Sequence, residues 1–337
     1  MKKNLSFLFF TVLVLIIMPG MVFAQRGSSS AQVTNIRFVS TLPRNSDWGR
    51  ALDTLSADWQ RVTNNQVRVV MTHGSQMSET ALLTSLRSNS IQVAVFTSAG
   101  MYEICPAIMN LSVPFMIRNN SELDLVFNDI RPVLESRVRE EFVVIAWSKA
   151  GWVYVFSKSP VFIPNDLRSQ SLATSPELSD MNTVFRTMGF RMVDTDWAVL
   201  QQRLNSNIVT AFYLIPTLMA PLNLHRGLHM LNLPIAPVMG AIVMNRVTWN
   251  QLSEANQREL IRVTQQTATV FDATMARTES SAITTMERDR LTVNRPTQAQ
   301  QDLWRNDVNA ALPSLIGTVF DQELYNRINS ILQRSRR

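Results

Sequence analysis

The side chains best suited to catalysis or metal binding are few in this chain of 337 residues: His73, His225, His229, the single Cys105, and the pair Asp194 and Asp196. His225 and His229 are four apart, a spacing that puts two ligands on one helix face, but Gly227 lies between them and the segment reads as a turn. Asp194 and Asp196 flank Thr195 at an expected helix start, where carboxylates favour the positive end of the dipole. Capping accounts for them better than paired acid–base chemistry. Cys105, in Ile104-Cys105-Pro106, reads as a packed thiol. The sequence contains no P-loop, no dinucleotide glycine fingerprint, no G-x-S-x-G elbow and no cysteine pair at metal spacing. No enzyme activity, metal or cofactor is expected, and binding becomes the function to look for.

The elements that must position a binding site follow from periodicity and caps. Residues 33–40 read as a strand, and Asn45-Ser46-Asp47 offers a cap to a helix carrying Trp48, Leu52, Leu55, Trp59 and Val62. Residues 67–71 alternate as a strand, Ala81 to Leu86 mark a second helix, and 91–96 is an apolar run of strand length. Strand–helix–strand–helix–strand implies a parallel sheet, with ligands beyond the carboxyl ends of its strands. That edge holds Arg44, Gln76 and Ser98. A helix capped by Ser121-Glu122 follows, then strands at 142–147 and 152–156, a turn at Pro164-Asn165-Asp166 and a strand at 172–174. Ser175-Pro176 should cap a helix over 177–188 that ends at Gly189. A helix from Asp194 or Thr195 to Leu204 and a strand over 208–214 complete a second α/β unit.

From Ser253 to Arg290 neither proline nor glycine interrupts a helical pattern, and the apolar repeat is not a clean heptad. At 1.5 Å per residue such a helix is roughly 55–60 Å long, longer than one α/β unit is wide, so it should bridge both. A strand at 291–293, a helix from Thr297 and a last helix around 315–332 close the chain.

Composition limits the setting. With 46% hydrophobic and 17% charged residues the chain can bury two cores, and its net charge of +6 is spread over single arginines rather than a basic stripe. Nucleic acid is not an expected partner. Lys2 and Lys3, the apolar run 5–18 and Val22-Phe23-Ala24 form a cleavable signal peptide over 1–24, followed by a polar leader at 25–31. The mature chain would carry +4 and, with one cysteine, must be held by its core rather than by disulfides.

Several strings, in their order along the chain, resemble the solute-binding proteins of TRAP transporters, the tripartite ATP-independent importers of the periplasm (DctP-like). These are Thr63-Asn64-Asn65 before Val67-Arg68-Val69, Val113-Pro114-Phe115, Pro164-x-Asp166-Leu167, and Trp249-x-x-Leu252-Ser253-x-x-Asn256-Gln257. The resemblance implies an α/β periplasmic-binding-protein fold of two lobes with mixed sheets, a ligand cleft between them and a long helix spanning both. It divides the chain into 32–150 plus about 236–277 for the first lobe and 151–235 plus about 278–337 for the second. It also implies a periplasmic, non-enzymatic protein whose partners are a small-molecule ligand and the membrane permease subunits.

The charged positions of the family do not survive. The arginines that clamp a substrate carboxylate fall on Val153 and Ala173, its polar triplet on Phe212, Tyr213 and Leu214, and an aromatic position on Trp197. An anion pocket has become apolar and aromatic, which implies an uncharged or hydrophobic ligand with Arg44, Gln76 and Ser98 toward its polar end. It is also similar to the branch whose binding protein pairs with a tetratricopeptide-repeat lipoprotein. Two alternatives stay open at this point. The apolar residues are ordinary strand core and the protein is a structural partner in an envelope complex without a ligand, or Arg44 has taken over the carboxylate clamp.

Overall fold

In the first third two strands follow the alternation of apolar residues and one is a short apolar run, and the α-helices there start on side-chain caps. Ser46, Ser78 and Thr97 accept hydrogen bonds from the N–H groups of Gly49, Ala81 and Ala99, opening helices Asp47–Val62, Glu79–Arg87 and Ser98–Ile104. The computed structural model describes residues 33–175, 178–220 and 222–337. The expected signal peptide, the leader at 25–31, and Pro176 and Glu177 of one expected helix start lie outside them.

Two mixed sheets carry the fold. Strands are numbered β1 (Thr34–Val39), β2 (Val67–Thr72), β3 (Val93–Phe96), β4 (Phe142–Trp152), β5 (Tyr154–Ser157), β6 (Ser171–Thr174), β7 (Arg191–Asp194), β8 (Ala211–Leu214), β9 (His229–Leu231), β10 (Pro237–Asn245) and β11 (Thr292–Asn294). The first sheet runs β2-β1-β3-β10-β4, the second β11-β9-β5-β8-β6-β7. β1 is parallel to β2 and β3, as the strand–helix alternation requires, and β10 enters antiparallel between β3 and β4.

Several boundaries differ from the sequence expectations. β4 runs unbroken through Trp152 in the first sheet, and a new strand starts at Tyr154 in the second. The helix expected at Ser121-Glu122 is capped by Asn119, whose side chain accepts from the Glu122 N–H. Pro164 opens a short helix, Pro164–Arg168, rather than a turn. The helix ending before Gly189 spans Ser179–Thr187. Asp194 ends β7, and Asp196 caps a 3-10 turn that leads into helix Leu200–Asn205. The last helix is Gln322–Ser335, because helix Gln298–Leu315 already occupies the start of the expected one. No element is expected between Leu214 and Ser253, where β9 and β10 stand.

The long helix is Glu254–Arg288, capped by Ser253, and about 52 Å long at 1.5 Å per residue. Leu260 and Val263 pack into the core against β1 and β2, while Met286 and Ile283 pack in a core shared with Phe156 of β5 and Phe212 of β8. It therefore joins both sheets. Most of its threonines donate back to carbonyls four residues earlier, as in Thr267 to Val263 (3.0 Å) and Thr278 to Thr274 (3.0 Å), which engages these hydroxyls within the helix. Among the described residues, no helix is long and apolar enough to cross a membrane.

Candidate ligand cavity

A cavity of about 390 Å³ is walled by residues of both sheets and the long helix. Helix Asp47–Val62 contributes Trp48, whose ring meets Phe271 of the long helix at 3.9 Å between centroids. β4 contributes Trp147 and Ser148, and Val153 follows at the passage from β4 to β5. From the second sheet come Tyr213 and Leu214, with Met181 and Phe185 of helix Ser179–Thr187 beside them. Phe185 and Tyr213 lie 5.2 Å apart, centroid to centroid.

The polar atoms on these walls are largely engaged with the protein itself. The Ser98 hydroxyl donates to the Met239 carbonyl and accepts from the Met239 N–H, both at 3.0 Å. Tyr102 and Ser112 share a hydrogen bond of 2.7 Å, and burial pushes the Tyr102 phenol upward. Tyr213 bonds Thr174 at 3.0 Å, its pKa pushed up to about 12 by burial. Ser148 donates to Asp272 (2.8 Å), and Thr264 accepts from Trp59 Nε1 (2.8 Å). Among the described residues, no arginine, lysine or histidine lines the cavity. One charged side chain among the described residues lines it, Glu79, which accepts from the N–H and hydroxyl of Thr97, each at 3.0 Å, and from the Gly100 N–H, at the start of helix Ser98–Ile104. The walls can therefore desolvate apolar surface, but they offer no counter-charge to an anion.

Of the residues singled out in the sequence, Val153, Trp197, Tyr213, Leu214 and Ser98 line this cavity. Trp197 is 38% exposed. Ala173 and Phe212 do not line it. Side chains alternate across a strand, so Phe212 faces the opposite side of the second sheet from Tyr213, stacked on Phe156 at 5.5 Å, and its register partner Ala173 shares that buried side. Arg44 and Gln76 also stand off the wall. Arg44 is largely exposed and paired with Asp53 (3.0 Å), which the hydrogen bond from His73 holds below the usual carboxylate range. Gln76 is exposed and donates to the Gly74 carbonyl (3.1 Å). Trp48, Tyr102, Trp147, Phe185 and Phe271 escape sequence reasoning, since apolar spacing on a helix or strand is the same for a cavity wall as for a core.

His225 and His229 do not form a pair: His225 meets Asp289 (3.0 Å) and His229, in β9, meets Asn294 (3.3 Å). Among the described residues, no group of three His, Cys, Asp or Glu side chains could hold a metal ion.

Residues 38–316 match the family described as bacterial extracellular solute-binding protein, family 7. The chain belongs to this family. As a family 7 member it is a solute-binding protein of a transport system, and solved TRAP periplasmic solute-binding proteins share its fold at low identity. One from Ralstonia eutropha H16, with bound (S)-2-acetolactate, is 15% identical with a TM-score of 0.79, covering 89% of this chain and 99% of that one. One from Sulfurospirillum deleyianum, with bound succinate, is 14% identical with a TM-score of 0.77 over the same shares. One from Rhodobacter sphaeroides, in an apo open form, is 14% identical with a TM-score of 0.77, again over 89% and 99%. No curated protein matches the sequence.

Proposed function

We propose that this family 7 protein captures an uncharged or largely hydrophobic small molecule in the periplasm and hands it to the membrane subunits of a TRAP-type transporter. One observation carries the choice of ligand: a cavity of about 390 Å³ with no cationic side chain on its wall among the described residues. Relatives of the same fold hold acidic ligands such as succinate and acetolactate. A carboxylate buried here without a cation or donors would lose its hydration uncompensated. Apolar ligand surface against Val153, Tyr213, Leu214 and Trp197 instead contributes roughly 25 cal/mol per Å². The lobe division proposed is 32–150 with about 236–277, and 151–235 with about 278–337. It is supported by β1–β4 and β10 sharing one sheet and β5–β9 and β11 the other. A tetratricopeptide-repeat lipoprotein as a further partner rests only on the apolar character of the pocket.

Calorimetric titration tests the reading. The panel is succinate, D-glucuronate and acetolactate against neutral alcohols of increasing chain length, on the wild type and on Leu214→Asp. The expected result is alcohol affinity rising about fourfold per added methylene, from ~0.8 kcal/mol per buried CH₂, and lost in Leu214→Asp. Tight binding of an acid, abolished by Arg44→Ala, would overturn it.

A further inference from the structure

The chain passes between the two sheets three times: from β4 to β5 across Val153, from β9 to β10 across residues 232–236, and along the long helix between β10 and β11. The first two passages lie side by side. The Val153 N–H donates to Ala236 O (3.0 Å), the Ile235 N–H donates to Val153 O (2.8 Å), and Pro237 stands opposite Trp152. The third passage reaches the same joint through one side chain. The Glu279 carboxylate accepts from the backbone N–H of Trp152 (2.8 Å), the last residue of β4, and from the Tyr154 hydroxyl (3.3 Å), on the first residue of β5.

This contact is costly to build. Glu279 is 8% exposed and no cation pairs with it among the described ion pairs, so burial drives its pKa upward. Met275 and Met286 show that apolar residues fill other inward positions of the same helix. Gly151, opposite Val238 in β10, has φ +121°, and a Cβ there would stand 2.6 Å from Glu279 Oε2. The end of β4 is thus shaped to admit the carboxylate. Glu279 also lines a second, polar cavity of about 260 Å³, with Arg118, Lys149 and Asp272 among its other walls. Lys149 is itself paired with Asp124 (2.6 Å), and Asp272 accepts from Ser148 and the Lys149 N–H.

We propose that Glu279 is a positioning residue for ligand capture: it ties the ends of β4 and β5 to the long helix and so sets the angle between the two sheets. Val153, between Trp152 and Tyr154, the two residues that donate to Glu279, is also a wall residue of the ligand cavity, so the setting of the joint is transmitted to the site. This holds whatever the ligand is.

The test needs no ligand. Spin labels on Arg68→Cys in β2 and Arg191→Cys in β7, exposed positions on the outer strands of the two sheets, report the distance between them by double electron–electron resonance. Cys105 is buried and leaves the background free of accessible thiol. The wild type should give one dominant distance. Glu279→Ala should populate a second, changing the ratio of the two by roughly 10- to 150-fold, the factor expected for losing hydrogen bonds to a charged group. Tyr154→Phe, which removes a single hydroxyl and keeps the fold, should shift the ratio in the same direction by less. Glu279→Gln, which retains an acceptor for the Trp152 N–H, should recover part of the wild-type distribution. A purely structural role would lower the melting temperature and leave the distances alone. Distributions in Tyr154→Phe and folded Glu279→Ala that superimpose on the wild type would overturn the proposal.

Discussion

Ala273→Pro measures how much of the fold depends on the long helix being continuous. Ala273 is exposed, so the substitution removes no buried surface, and its effect is confined to the backbone. Proline there deletes the N–H bonded to the carbonyl of Thr269 and drives its ring against that carbonyl, a cost of about 3 kcal/mol or more. The position divides the helix between two attachments. Phe271 and Asp272, which hold Trp48 and β4, lie before it, and Glu279 and Met286, which hold the joint and the second sheet, lie after it. At roughly 2 °C per kcal/mol for a chain this long, the expected fall in Tm is about 6 °C. Ala273→Gly, at about 1 kcal/mol, is the control and should lose about 2 °C. Calorimetric melting of both variants reads the difference, and splitting of the transition in Ala273→Pro would mark the two sheets unfolding separately. A proline variant that melts in one transition at the wild-type temperature would refute the view that this helix couples the sheets.

Two further outcomes are expected. Asn245→Ala removes a buried side chain that donates to the carbonyls of Leu86 and Ile91 and caps helix Arg246–Gln251. Urea denaturation should show a loss of at least about 2 kcal/mol, and a loss below half of that would argue against the network. Acidification should destabilise the protein through Glu122 and Asp53. Burial opposes ionisation of Glu122, but Arg336 and the Arg118 N–H more than offset it, and the His73 hydrogen bond lowers Asp53. Both carboxylates have folded-state values below the unfolded ones. Their contribution is therefore present above about pH 4 and is lost as pH falls through the folded values. Glu122→Gln should flatten the stability–pH curve in that acidic window, and a curve with unchanged slope would exclude it.

The parts of this molecule legible in its sequence are those decided locally. Ser46, Ser253 and Thr297 each cap a helix by accepting from an N–H three residues on, so cap and start are written together. The parallel trio β1, β2 and β3 follows equally from alternation between short connections. β10 is hidden for the opposite reason. It is buried on both faces between strands from far earlier in the chain, so it shows no period of two, and Pro237 and Gly240 read as breakers. The site divides in the same way. Val153, Tyr213 and Leu214 stand on the wall because the ends of β5 and β8 meet the cavity. Phe212 is turned away by the alternation of its strand, and Arg44 is held outside by Asp53. The aromatic pair Trp48 and Phe271 depends on two helices more than two hundred residues apart meeting, which no local pattern encodes.

The late arrival of β10 also governs the order in which the chain can fold. Until Asn245 has emerged, β3 and β4 have no partner between them, and two apolar strands keep unpaired edges. The first sheet must therefore wait for all of β5 to β9 before it can close. Such long-range pairing is slow, because the loop between the strands must be ordered before their contacts form. The two halves mature together, and a chain stopped before residue 237 would be left with its central seam open, a template for association with other chains.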